Sequence, residues 1–105
     1  MNILEITPDE LQPLLEKGSV CLVDVREPWE VEMCSIEPSL KIPLGQLPDR
    51  ASELAEKSPL IFYCHHGVRS LKAVQILASA DIPAKSLKGG IDLWSEVIDP
   101  TCPKY

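Results

Sequence analysis

Cys64 heads the hexapeptide Cys64-His65-His66-Gly67-Val68-Arg69, between an apolar run and a stretch of helical periodicity. A sulfur nucleophile opens this segment and a guanidinium closes it. Such a pair offers nucleophilic chemistry: the thiol attacks as its anion, and cationic or N–H groups hold the charge. A loop joining a strand to a helix can aim successive backbone N–H groups at one point, over the positive end of the helix dipole. The anion of a thiol held there gains from the dipole and from Arg69, so Cys64 is expected to be deprotonated near neutral pH. Gly67 allows a positive φ or a close backbone approach to a bound anion. Arg69 has the wrong sign for a helix start unless an anion, thiolate or ligand compensates it. The bland alternative is that Cys64 is a small core residue ending a strand. His65 and His66 are metal-binding residue types. Sequence neighbours rarely converge on one ion, however, and there is no Cys-x-x-Cys pair, so no metal centre is expected.

These residues need a strand and a helix to carry them. Pro59 to Tyr63 is a short, uncharged apolar run with β-branched and aromatic members, as in a buried parallel strand. Ser70 to Ala80 reads as a helix, with Leu71, Val74, Leu77 and Ala78 at helical spacing. Strand and helix signals alternate along the rest of the chain, which is the α/β pattern. Further strands are expected at Ile3 to Ile6, Val20 to Val25, Leu40 to Ile42 and Lys85 to Leu87. Thr7-Pro8-Asp9-Glu10 reads as an N-cap, a first-turn proline and a capping-box glutamate. Leu11, Leu14 and Leu15 would face inward and Gly18 would stop that helix. Pro13 inside it removes a hydrogen bond and predicts a kink or an early break. Pro28 to Met33 suits one short helix and Ile91 to Val97 the last. Gln46 to Glu56 is helical, with Pro48 either interrupting or opening it. Asp99 to Tyr105 carries two prolines and should lie extended against the domain.

With 105 residues and 45% hydrophobic content, residues 1–105 suit one compact domain with one core. No 18-residue apolar run and no charged-then-apolar leader is present, so neither a membrane span nor a secretory signal is read; the expected location is cytoplasmic. A net charge of −6 disfavours a nucleic-acid partner, whose binding rests on cation–phosphate contacts. From Ser58 to Ala80 there is no acid, while Arg69 and Lys72 lie there, which suits a small anionic substrate. Cys21, Cys34, Cys64 and Cys102 are unevenly spaced, and Cys21 falls in a predicted buried strand. Reduced thiols are therefore expected rather than a disulfide framework.

The segment Cys64 to Ser70 resembles the active-site loop of rhodanese-like sulfurtransferase domains, especially single-domain forms reading Cys-x-x-Gly-x-Arg-Ser. Leu22-Val23-Asp24-Val25-Arg26-Glu27 and Lys88-Gly89-Gly90-Ile91-Asp92-Leu93-Trp94 agree with the same family, in order and in spacing. The ending Gly90 to Tyr105 is similar to the rhodanese domain of adenylyltransferases that activate ubiquitin-like sulfur carriers. The resemblance implies a three-layer α/β fold: a parallel five-stranded sheet in the order 3-2-4-5-1, with helices on both faces. Cys64 would stand at the carboxyl end of the fourth strand, and Gly89-Gly90 would turn into the last helix beside it. The implied activity is sulfur transfer, in which Cys64 takes sulfane sulfur from a donor such as thiosulfate as a persulfide. A thiophilic acceptor then removes it. Cys64 is the catalytic residue; His65, His66, Gly67, Val68 and Arg69 form the substrate cradle. Asp24 would sit near its mouth, unless it caps or pairs with Arg26. No cofactor is implied. The partner is a small anionic sulfur donor. In the alternative reading the domain is a sulfur-relay or interaction module with little small-molecule turnover, served by a sulfur-carrier protein or a cysteine desulfurase.

Departures from the family pattern sharpen these expectations. Many relatives read Gly-His-Ile where this chain has Cys34-Ser35-Ile36, and a Pro-Gly turn where it has Glu37-Pro38. The third loop position, a lysine in some two-domain thiosulfate enzymes, is His66. A histidine is only fractionally charged at neutral pH, which weakens the case for tight thiosulfate binding but not for sulfur transfer. Cys34 reads as a packed thiol; Cys102 is inert, or a second, resolving thiol if its segment reaches the loop. Related Cys-x5-Arg phosphatases have one more loop residue. Four residues separate Cys64 from Arg69, which favours sulfur over phosphate. Trp94 is read as core or as lining the site, and Trp29 as facing a partner.

Overall fold

The computed structural model describes residues 4–57 and 59–105. Strands β1 (Glu5–Ile6), β2 (Cys21–Asp24), β3 (Leu40–Lys41), β4 (Leu60–Tyr63) and β5 (Ala84–Leu87) alternate with helices. The helices are α1 (Pro8–Glu16), α2 (Pro28–Met33), α3 (Leu47–Leu54), α4 (Val68–Ala78) and α5 (Gly90–Val97). A 3-10 turn over Leu44–Gln46 leads into α3, so Pro48 opens that helix rather than interrupting it. Ile3, the expected start of the first strand, lies outside the described residues.

All five strands pair in parallel in the order β1-β5-β4-β2-β3, the expected 3-2-4-5-1 read from the other edge. Alternation along the central strands divides the core in two. Val23, Leu60 and Phe62 face α3 and α4, where Leu47, Leu54, Ala73, Val74 and Leu77 cover them. Leu22, Ile61 and Tyr63 face α1 and α5, where Leu11, Ile91 and Trp94 cover them. Each fully buried leucine or phenylalanine here contributes about 2 kcal/mol of apolar transfer. A one-residue slip of β4 would send each of its side chains to the opposite face, so burial on both sides fixes the register.

Local chemistry explains the element ends. Thr7 accepts the Glu10 amide and Glu10 accepts the Thr7 amide, closing the expected capping box of α1. Of the kink or early break expected at Pro13, no break occurs: α1 continues to Glu16. The bond that Pro13 forgoes would have gone to Asp9 in the first turn, and its own carbonyl still accepts Lys17 N at 3.2 Å. The inward face of α4 is also rotated from the expected one: Ser70, Ala73, Val74 and Leu77 are buried, whereas Ala78 is exposed. Trp94 packs in the core and Trp29 is 60% exposed. Among the described residues no helix is long and apolar enough to cross a membrane.

Candidate active site

β4 delivers Cys64 to the carboxyl edge of the sheet, where ligand sites of open parallel sheets gather. Its side chain is 1% exposed and turns toward the first turn of α4. Gly67 N donates to Cys64 Sγ at 3.1 Å and Ser70 N at 3.4 Å; Ser70 Oγ lies 3.5 Å away. Of the amides from His65 to Arg69 expected in the cradle, Gly67 bonds the sulfur, and Ser70, one residue beyond that range, joins it. Ser70 Oγ is fixed in turn by Ser86 Oγ on β5, at 2.6 Å.

Two glycines make this geometry possible. Gly67 caps α4 with φ +104°, a backbone conformation in which other residues are strained. Gly90 also has positive φ, and a Cβ there would overlap the carbonyl oxygens of Cys64 and His65. The space matters because those two carbonyls accept Ile91 N (2.9 Å) and Asp92 N (3.1 Å), stitching the loop to the start of α5. His66 and Val68 stand exposed on the rim.

Arg69 does not reach for the sulfur as its charge-compensating role suggested. Its guanidinium grips Glu30 of α2 bidentately, Nη1 to Oε1 at 2.6 Å and Nη2 to Oε2 at 2.8 Å. Glu30 is the anion that compensates it. Glu30 is buried and also accepts Glu27 N and the Tyr105 hydroxyl. In the sequence it stands out only as an acid within the short helix expected at Pro28 to Met33.

Asp24 ends β2 beside Tyr63, one residue before Cys64. It is fully buried and both carboxylate oxygens accept from Arg26, with Nη2 to Oδ2 at 2.7 Å. Arg26, itself 1% exposed, also donates to the carbonyls of Glu30 and Cys34 and to the Tyr105 hydroxyl. The pair ties the end of β2 to α2 and to the segment 99–105. This is the pairing alternative left open for Asp24.

Cys34 and Cys102 form a disulfide, contrary to the expectation of four reduced thiols; Cys21 and Cys64 are free. Their spacing of 68 residues gives no sign that the segment after α5 folds back onto α2. Tyr105 completes that return: its ring stacks on His65 with centroids 3.9 Å apart, and His65 stacks on His66 at the same distance. Burial, reinforced by His66, pushes the His65 imidazole below its usual range. His65, His66 and Asp92 have donor atoms within 4.8 Å of one another. The two rings lie in nearly parallel planes, not the convergence an ion requires, and Lys104 Nζ sits 3.5 Å from Asp92.

The Arg69 clamp makes stability pH-dependent. Hydrogen bonding from Arg69 holds the Glu30 carboxyl down at about 2, against an ordinary 4.5. A depressed folded-state value means stability present above pH 4.5 and lost as pH falls toward 2. The shift corresponds to about 3 kcal/mol. Urea unfolding followed down the acid range should show this loss in the wild type and a flatter acid limb in Glu30→Gln, which starts from lower stability at neutral pH. Equal acid limbs in the two proteins would remove the clamp from the argument.

Residues 7–97 match the family model of the rhodanese-like domain. The chain is 34% identical, over 95% of its length, to the Zea mays adenylyltransferase and sulfurtransferase MOCS3-2, of which it spans 23%. It covers about a quarter of the length of such two-function relatives. It is 33% identical to an Allochromatium vinosum sulfurtransferase, with 87% of each chain covered. Among solved structures, a human single-domain sulfurtransferase, TSTD1, superposes with a TM-score of 0.78 at 29% identity, over 91% of this chain and 98% of that one.

Proposed function

The chain belongs to the rhodanese-like domain family, and from that premise we propose that it is a sulfurtransferase working through a persulfide on Cys64. The Cys64 thiolate attacks the outer sulfur of a donor such as thiosulfate. A sulfur–sulfur bond forms to Cys64, the donor's own sulfur–sulfur bond breaks, and sulfite leaves with its electron pair. A thiol, cyanide or protein acceptor then takes the outer sulfur and regenerates the thiolate. The observation that carries this reading is the cradle at Sγ: two amides and a hydroxyl converge on the one atom that must bear charge before and after the first step. Val68 and His66 on the rim would meet the donor. Gly67 and Ser70 would hold the anion, and Arg69 would hold the loop through Glu30.

A second reading, a relay between protein partners, is favoured by one feature. Trp29 and Val68 are 60% and 66% exposed near the loop and its clamp, an apolar rim suited to a protein surface rather than to a small anion. In that reading the donor is a cysteine desulfurase or the acceptor a sulfur-carrier protein. Intact mass measured after incubation with thiosulfate, and separately with a desulfurase and cysteine, decides between them. Gain of one sulfur from thiosulfate supports the small-molecule enzyme. Gain from the desulfurase alone supports the relay, and gain from neither rejects both.

A further inference from the structure

The segment Asp99–Tyr105 has no part in the proposed chemistry, yet it reaches the clamp that holds the catalytic loop. Asp99 N bonds to the Trp94 carbonyl and Cys102 N to the Asp99 carbonyl, turning the chain back after α5. Cys102, buried, is disulfide-bonded to Cys34 just past α2. Three residues on, the Tyr105 hydroxyl accepts Arg26 Nη1 at 2.9 Å and donates to Glu30 Oε2 at 2.7 Å. That oxygen also accepts Arg69. The Tyr105 ring lies flat on His65 and edge-on to Trp29. One side chain therefore touches the loop directly through His65 and indirectly through Glu30 and Arg69. Lys104 adds ion pairs with Glu96 and Asp92, but these are exposed and such pairs hold weakly. The covalent anchor is Cys102.

We propose that Tyr105 is a positioning residue of the Cys64 loop and that the Cys34–Cys102 disulfide keeps it in place, so that the loop is tight when this pair is oxidised and loose when it is reduced. The inference rests on Cys64 being the reactive group, as in the function proposed above, and not on the identity of the donor. The redox step is a two-electron exchange with a dithiol. The Cys34–Cys102 bond breaks, each sulfur receives one proton and one electron, and the dithiol closes to its own disulfide. Residues 103–105 then depend on the Tyr105 contacts and the weak Lys104 ion pairs. Weakening a hydrogen bond to a charged group makes opening of the loop about tenfold more frequent.

The test is the rate at which iodoacetamide alkylates Cys64, read by peptide mapping against Cys21 in the same molecules. Cys21, the other free cysteine, is partly exposed and pairs with Leu60 at the opposite end of β4, so it serves as the internal reference for reagent reactivity away from the loop while Cys64 reports the loop. Protein prepared without reductant should titrate two thiols when denatured. The Cys64-to-Cys21 ratio should rise about tenfold after dithiol treatment and desalting under argon, and equally in Cys102→Ser and Tyr105→Ala. Dithiol should add nothing further in Cys102→Ser. Tyr105→Phe, which keeps the ring on His65 and loses the hydroxyl, should recover part of the wild-type protection. A titre of four thiols overturns the proposal. A ratio that stays within about twofold in all these proteins does the same, as does a rise in Cys102→Ser that Tyr105→Ala lacks. Alkylation needs no sulfur donor, so failure of the sulfur-transfer reading and failure of this one are seen separately.

Discussion

Replacing Cys64 by serine is expected to lower sulfur transfer from thiosulfate to cyanide by more than about a thousandfold. The serine hydroxyl fits the cradle and can accept the Gly67 and Ser70 amides, but an alkoxide is far harder to form and a weaker nucleophile toward sulfur than a thiol group. It also lacks the sulfur that would carry the persulfide. The loss should therefore appear in the chemical step, with the unfolding midpoint moving little. Thiocyanate formation and intact mass after donor treatment are the two measurements. Turnover at the wild-type rate in Cys64→Ser would falsify the assignment of the nucleophile.

Asp24→Ala should produce the largest loss of stability, about 3–5 kcal/mol, because it leaves the Arg26 guanidinium buried without its counter-charge. Both side chains of the pair are 0% exposed, so water cannot replace the lost carboxylate without opening the edge of the sheet. The effect belongs to folding: the urea midpoint should fall, and the protein that remains folded should keep its KM for the sulfur donor. An unchanged midpoint with a raised KM would return Asp24 to the substrate-binding role first expected of it.

The difference between the roles expected and found for Asp24 shows what was legible. Signals confined to a few consecutive residues read well. The capping box at Thr7–Glu10, the apolar run of β4 and the glycine before α4 each act within one turn or one strand. Strand order came from resemblance to a family, since periodicity says which way a side chain faces but not which strand lies beside it. Contacts between distant residues were the ones missed. Glu30 meets Arg69 across 39 residues, and Tyr105 meets Arg26 across 79, with no local pattern to announce either. The Cys34–Cys102 bond escaped for the same reason: it depends on where the chain goes after α5, not on the spacing of cysteines. Asp24 and Arg26, two residues apart at the end of β2, suggested their own pairing but gave no sign that Tyr105 would join Arg26.

Two helix N-termini converge on the loop, but only one faces the sulfur. The leading amides of α5, from Ile91 and Asp92, are taken by the carbonyls of Cys64 and His65. Arg69, the cation of the motif, is answered by Glu30. What faces the sulfur is the α4 end: the amides of Gly67 and Ser70 and the Ser70 hydroxyl. These donors meet on one atom. Such a cradle would suit a single negative charge on Sγ, or on the terminal sulfur of a persulfide, better than a phosphate dianion. In the function proposed above, a preference for sulfur over phosphate would then arise from which positive ends the fold has already occupied, as well as from the short reach of the loop.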